Sequence, residues 1–169
     1  MYMSLSYSEI VLRLLVSFVI GGLMGIERKK RGKPAGFRTY VLVSLSATGI
    51  AIVSAYGFTT AEGVSASDPA RLAVGIITGM GFLGAGIIWR SPSGTVQGIT
   101  TAAHVWATAC LGIIIGFGYY FLSIITMGLI MLALLIKPLY NKLQYRCAER
   151  ELCEEEQKEK VSQPRDEVL

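Results

Sequence analysis

Apolar residues fall into five blocks along the chain, roughly Ile10–Ile26, Tyr40–Phe58, Leu72–Trp89, Thr101–Phe117 and Tyr119–Ile136. Each is near the ~20 residues that carry a helix across hydrocarbon, and aromatic or basic flanks help the shorter ones. The pattern predicts an all-α fold, a polytopic transmembrane helical bundle of about five spanning helices. The first block does not read as a signal peptide: Glu9 and Arg13 accompany it, an A-x-A site is lacking, and four more blocks follow. Residues 1–140 form the expected membrane domain. Residues 141–169 form a charged cytoplasmic tail, expected to be partly disordered and too short for a second folded domain.

The polar links orient the bundle. "ERKKRGKPAGFR" (Glu27 to Arg38) carries six bases and one acid, whereas "TTAEGVSASDPAR" (Thr59 to Arg71) carries two acids and one base. The positive-inside rule places the first link in the cytoplasm. Five crossings then put the N-terminus outside and the tail, with Lys137, Lys142, Arg146 and Arg150, inside. "RSPSGTVQG" (Arg90 to Gly98) supplies turn formers, and Gly116, Phe117 and Gly118 predict a tight hairpin between the last two helices. The bacterial inner membrane is the expected location and the lipid bilayer the first partner.

Composition sharpens this. Arg90 to Lys137 encloses no formally charged residue, and Pro69 to Ala148 contains no Asp or Glu. A soluble domain needs charge on its outer faces and a spanning bundle does not. Cys110, Cys147 and Cys153 have neither disulfide-framework nor zinc spacing, so free thiols are expected. His104 is the sole histidine, which excludes a multi-histidine metal site within one chain.

"GMGFLGAGII" (Gly79 to Ile88) fits the dinucleotide fingerprint through Gly79, Gly81 and Gly84. That fingerprint needs an acid about 20 residues on to hold a ribose hydroxyl, and the first acid after Gly84 is Glu149. No dinucleotide, nucleic-acid partner or cofactor is expected. Small residues instead let helices approach closely in lipid. Gly21 and Gly25, Gly75 and Gly79, Gly81 with Ala85, and Gly112 and Gly116 have the small-xxx-small spacing, and Gly84, Gly86, Gly98 and Trp106 join them as expected packing residues. The third helix carries small residues on more than one side. It is expected to be central, or to dimerise while packing in its own bundle, with a homodimer the favoured assembly.

Charges at a membrane edge are costly and so are functional candidates. Glu27 and Arg28 end the first helix and Arg38 and Thr39 begin the second. A Glu27–Arg38 ion pair pinning the two ends is the expected arrangement, and a cluster that also binds an ion, a headgroup or a partner is the alternative. Asp68 before Pro69 reads as an N-cap of the third helix, with Arg71 one turn on. Thr100 or Thr101 reads as a cap or an interhelical donor for the fourth, and His104 as a neutral histidine bonded to a neighbouring helix. No nucleophile–base pair, carboxylate pair or phosphate loop emerges, and no enzyme activity is expected.

The segments "GGLMGIERKKRGKPAGFRTYVLVSLSA", "DPARLAVGIITGMGFLGAGII" and "VQGITTAAHVWATACLG" resemble, in order, the MgtC/SapB family of bacterial inner-membrane proteins. The likeness covers about Val16 to Gly116. It implies family-type positions at Glu27, Arg28, Arg38, Thr39, Asp68, Arg71, Gly79 to Gly86, Gly98, Thr101 and Trp106. Thr100 stands where the MgtC branch typically has Asn, and Ala107 where it has Cys, so the chain looks closer to the SapB side. The resemblance implies an accessory protein linked to magnesium homeostasis that contacts other membrane components. A small oligomeric Mg²⁺ transporter or channel is the alternative, and whether a metal binds is left open.

Overall fold

A computed structural model describes residues 5–58, 68 and 70–136. The order is α1 (Tyr7–Lys30), α2 (Phe37–Tyr56), α3 (Ala70–Ile87), β1 (Trp89–Arg90), β2 (Val96–Gln97) and α4 (Ile99–Gly116). A further apolar helix, α5, runs over Tyr120–Ile136. The fold is all-α, and α1 to α4 are each long and apolar enough to cross a membrane. The chain divides into two compact units, Met1–Met127 and Gly128–Leu169. The first holds α1 to α4 and the opening turns of α5. In the second, the described residues are the rest of α5. The expected cytoplasmic tail, with Cys147 and Cys153, lies outside the described residues.

The helices outrun the apolar blocks where polar residues still favour helix. α1 continues through the basic residues to Lys30, because cations suit a helix C-terminus. It then stops abruptly. Gly32 takes φ +62°, Lys33 N–H donates to the Arg28 carbonyl at 3.1 Å, and Gly32 N–H donates to the Lys29 carbonyl at 3.1 Å. This is the Schellman arrangement, which reverses the chain at a left-handed glycine. Only a short link then leads to α2, so the polar end of α1 lies beside the first turn of α2.

The interior is a three-helix seam of α1, α2 and α4. Ser17 Oγ lies 2.8 Å from both Ser44 Oγ and Thr48 Oγ1, Ser44 donates to the Ser17 carbonyl, and Thr48 donates to the Gly112 carbonyl at 2.9 Å. All three hydroxyls are fully buried. In lipid such bonds join helices at roughly 0.6 kcal/mol each. Glycines make the approach possible. A Cβ on Gly21 would sit 2.9 Å from the Tyr40 carbonyl oxygen, and one on Gly25 2.6 Å from Phe37 Cα. On α4, a Cβ at Gly112 would meet the Ser44 carbonyl at 2.6 Å and one at Gly116 the Ala51 Cβ at 2.5 Å.

The third helix does not take the central place that is one of its two expected roles. Within one copy α3 is peripheral rather than central, with only Ala73 and Met80 buried. A Cβ at Gly75, Gly79, Gly81 or Gly86 would meet nothing within 4 Å, and one at Gly84 would touch only Ala102 Cβ, at 3.8 Å. The seam is already closed by α1, α2 and α4, so α3 has a single flank to lay against it. The loop after α3 is also more ordered than turn formers alone imply. It makes an antiparallel hairpin with Trp89 opposite Gln97 and Arg90 opposite Val96. Gly98 then turns at φ +89°, where a Cβ would strike the Ile87 carbonyl. Its role is that turn and close approach. Trp106 stays half-exposed on the outside of α4.

Candidate functional site

The end of the bundle near the α1–α2 link gathers its polar groups. Glu27 lies in the last turn of α1, and both its oxygens bind the guanidinium next to it: Arg28 Nε donates at 2.5 Å and Nη2 at 2.8 Å. Arg31, one turn on, pairs with the same carboxylate at 2.5 Å. The Arg28 side chain is only 2% exposed, against 19% for Glu27 and 30% for Arg31. A guanidinium that deep requires its charge to be met, and a two-pronged carboxylate does so with good geometry.

Near this pair lie Tyr40, from the first turn of α2, and His104, from α4. Their rings lie 5.1 Å apart between centroids and tilt by 58°. Tyr40 is fully buried and His104 3% exposed. Both feel the charges of Glu27 and Arg28. Yet the Tyr40 hydroxyl and both imidazole nitrogens of His104 have no hydrogen-bond partner. A buried polar atom without a partner costs about 1–3 kcal/mol, so native structures seldom keep one. Here three such atoms cluster beside a buried ion pair, at one end of three helices.

The expected residues separate on this geometry. Glu27, Arg28 and His104 come together. Arg38 and Thr39 are exposed on the opening of α2, and no ion pair links Arg38 to Glu27. The expected Glu27–Arg38 pin is therefore replaced by pairing with Arg28 and with the C-cap residue Arg31, the latter in reach one turn on at i, i+4. Asp68 accepts the Ala70 N–H at 2.9 Å and so caps α3, while Arg71 is exposed and not ion-paired with it. Thr100 and Thr101 do not cap α4. Gly98 takes the N-cap position, leaving Thr100 exposed and Thr101 buried in the first turn. His104 does not bond a neighbouring helix.

Tyr40 and Arg31 were not anticipated. The signal for Tyr40 was its place four residues into an apolar helix beside the basic link, where an aromatic hydroxyl reads as an interface anchor. A second polar cluster, at the other end of α1, was also missed. Arg13, deeply buried, donates to the Gly116 carbonyl at 2.6 Å, to Glu9 at 3.2 Å and to the Tyr56 hydroxyl at 3.3 Å. Tyr120 donates to Glu9 at 2.5 Å. This cluster is fully partnered and ties α1 to α2, to the end of α4 and to the start of α5.

The MgtC family model matches residues 14–143. The chain belongs to the MgtC family. Among relatives, "Putative magnesium transporter YhiD" of Escherichia coli (strain K12) is 39% identical over 142 residues, 82% of this chain and 64% of that protein. Protein SapB of Bacillus subtilis (strain 168) is 38% identical over 66% of this chain and 49% of its own length. Protein MgtC of Brucella abortus (strain 2308) is 36% identical over 79% of this chain and 54% of its own. The chain thus spans between about half and two thirds of the length of these relatives. Their identities differ too little to assign this member to one branch. No solved structure matches the chain.

Proposed function

We propose that this membrane protein is a non-enzymatic accessory component of magnesium homeostasis in the bacterial inner membrane, acting by contact with other membrane proteins. The magnesium link comes from its relatives, one of them named for magnesium transport. The accessory role is supported by one observation above others: the carboxylate at the inner end of the bundle is already spent. Hydrated Mg²⁺ takes one or two carboxylates. Glu27 gives both oxygens to Arg28 and a further contact to Arg31, so a cation there would have to displace two guanidinium groups. Five crossings with the N-terminus outside follow from the basic link and complete the reading. The open glycine face of α3 supports self-association, because small residues free of partners in one copy permit close contact with a second.

A transporter reading has the relative's name in its favour. Purified protein in sealed liposomes, loaded with a Mg²⁺ indicator and compared with Glu27→Gln, separates the two. The accessory reading expects no flux above empty liposomes from protein shown to be folded and inserted. Flux that the folded variant loses would replace it with transport through Glu27.

A further inference from the structure

We propose that Arg28, Tyr40 and His104 form a binding site for a phosphate group, in which Glu27 is an internal stand-in that the ligand displaces. The proposal goes beyond the accessory role and does not depend on it. The Tyr40 hydroxyl and the His104 nitrogens are buried, adjacent and unpartnered. All three atoms are closed off from the surrounding solvent. What they lack is a group with acceptor oxygens for an O–H and an N–H. The Arg28 fork beside them already grips a two-oxygen anion, and the same spacing of Nε and Nη2 fits two oxygens of a phosphate. Glu27 can leave without being stranded, because Arg31, near the surface, holds it too.

The sign of the ligand follows from the surroundings. Residues 27–38 carry six bases against one acid, which raises the local concentration of anions and repels cations. A phosphate reaching the site has two sources with the same chemistry, a lipid headgroup or free phosphate. Entry requires the Tyr40 and His104 rings to part, and the uncompensated polar atoms make that closed packing the costlier for staying shut.

The test uses the full chain in neutral detergent, with ³¹P NMR line broadening as the binding readout. One arm adds inorganic phosphate, with chloride at equal ionic strength as control. The other adds phosphatidylglycerol, with diacylglycerol as control. Tyr40→Phe, which removes only an orphan hydroxyl, and His104→Leu are each expected to weaken binding at least tenfold while circular dichroism shows an unchanged helix content. Lys33→Ala, which removes one charge of the link, is expected to change it less than about threefold. Saturable binding of inorganic phosphate assigns the site to the free anion, and binding of phosphatidylglycerol alone assigns it to a headgroup. Absence of binding in both arms overturns the proposal. So does binding that both ring variants retain, since that is attraction to the basic link alone.

Discussion

Adding one methyl group at Gly112 is a strict test of the seam. A Cβ there would lie 2.6 Å from the Ser44 carbonyl oxygen, 2.9 Å from Ala47 Cβ and 3.3 Å from Thr48 N, all on α2. Carbon atoms pack best at about 3.5–4.0 Å, so α2 must retreat by at least about 0.6 Å. That retreat stretches the 2.9 Å bond from Thr48 to the Gly112 carbonyl towards the limit of a hydrogen bond. Overpacking of this kind costs about 1–3 kcal/mol, and the weakened interhelical bond adds about 0.6. Alanine returns about 1 kcal/mol through its helix preference. Gly112→Ala is therefore expected to destabilise the fold by about 0.6–2.6 kcal/mol. Gly79→Ala supplies the contrast, because its Cβ meets nothing within one copy. It keeps only the helix gain, so it is expected to be neutral or stabilising by up to about 1 kcal/mol. Unfolding in mixed dodecyl sulfate micelles, followed by helical circular dichroism, measures both. Gly112→Ala at or above wild-type stability would refute the seam as described. A loss in Gly79→Ala that grows with protein concentration would show α3 packing on a second copy, as the proposed dimer requires.

Other expectations follow from the polar clusters. Tyr40→Phe removes a buried hydroxyl without a partner and is expected to raise ligand-free stability by about 1–3 kcal/mol, measured by the same unfolding curves. A fall instead would mean that the hydroxyl is bonded. Arg13→Met takes a charged donor from the Gly116 carbonyl and is expected to cost about 1.5–3 kcal/mol. Arg13→Lys should not restore it, because an ammonium cannot reach three acceptors with a planar fork. Arg38→Ala removes an exposed group with no ion pair to Glu27 and should shift stability by less than about 0.5 kcal/mol. A larger loss would revive the pin between α1 and α2.

The sequence by itself determined the membrane-spanning helices, because burial of apolar length in lipid is a local requirement: each helix satisfies its own backbone and shows itself as a run of apolar residues. The Asp68 cap was legible as well, because Asp before Pro at a polar link is a local signal, whereas α1 runs past Ile26 to Lys30 and Gly98, not Thr100 or Thr101, takes the N-cap position of α4. Which glycines touch a neighbour was a different matter. Gly21, Gly25, Gly112 and Gly116 share their spacing with Gly75 and Gly79, yet only the first four lie against another helix in one copy. The spacing states that close contact is permitted, and the order in which helices surround one another decides where it happens. The same limit applied to the site. Glu27, Arg28 and His104 stood out because charge and imidazole are rare in apolar surroundings, but nothing local said that Glu27 turns to Arg28 and Arg31 instead of Arg38. Tyr40 and His104 are 64 positions apart in the numbering. Only the tertiary arrangement lays α2 against α4, brings the two rings together near the buried guanidinium and leaves their polar atoms without partners.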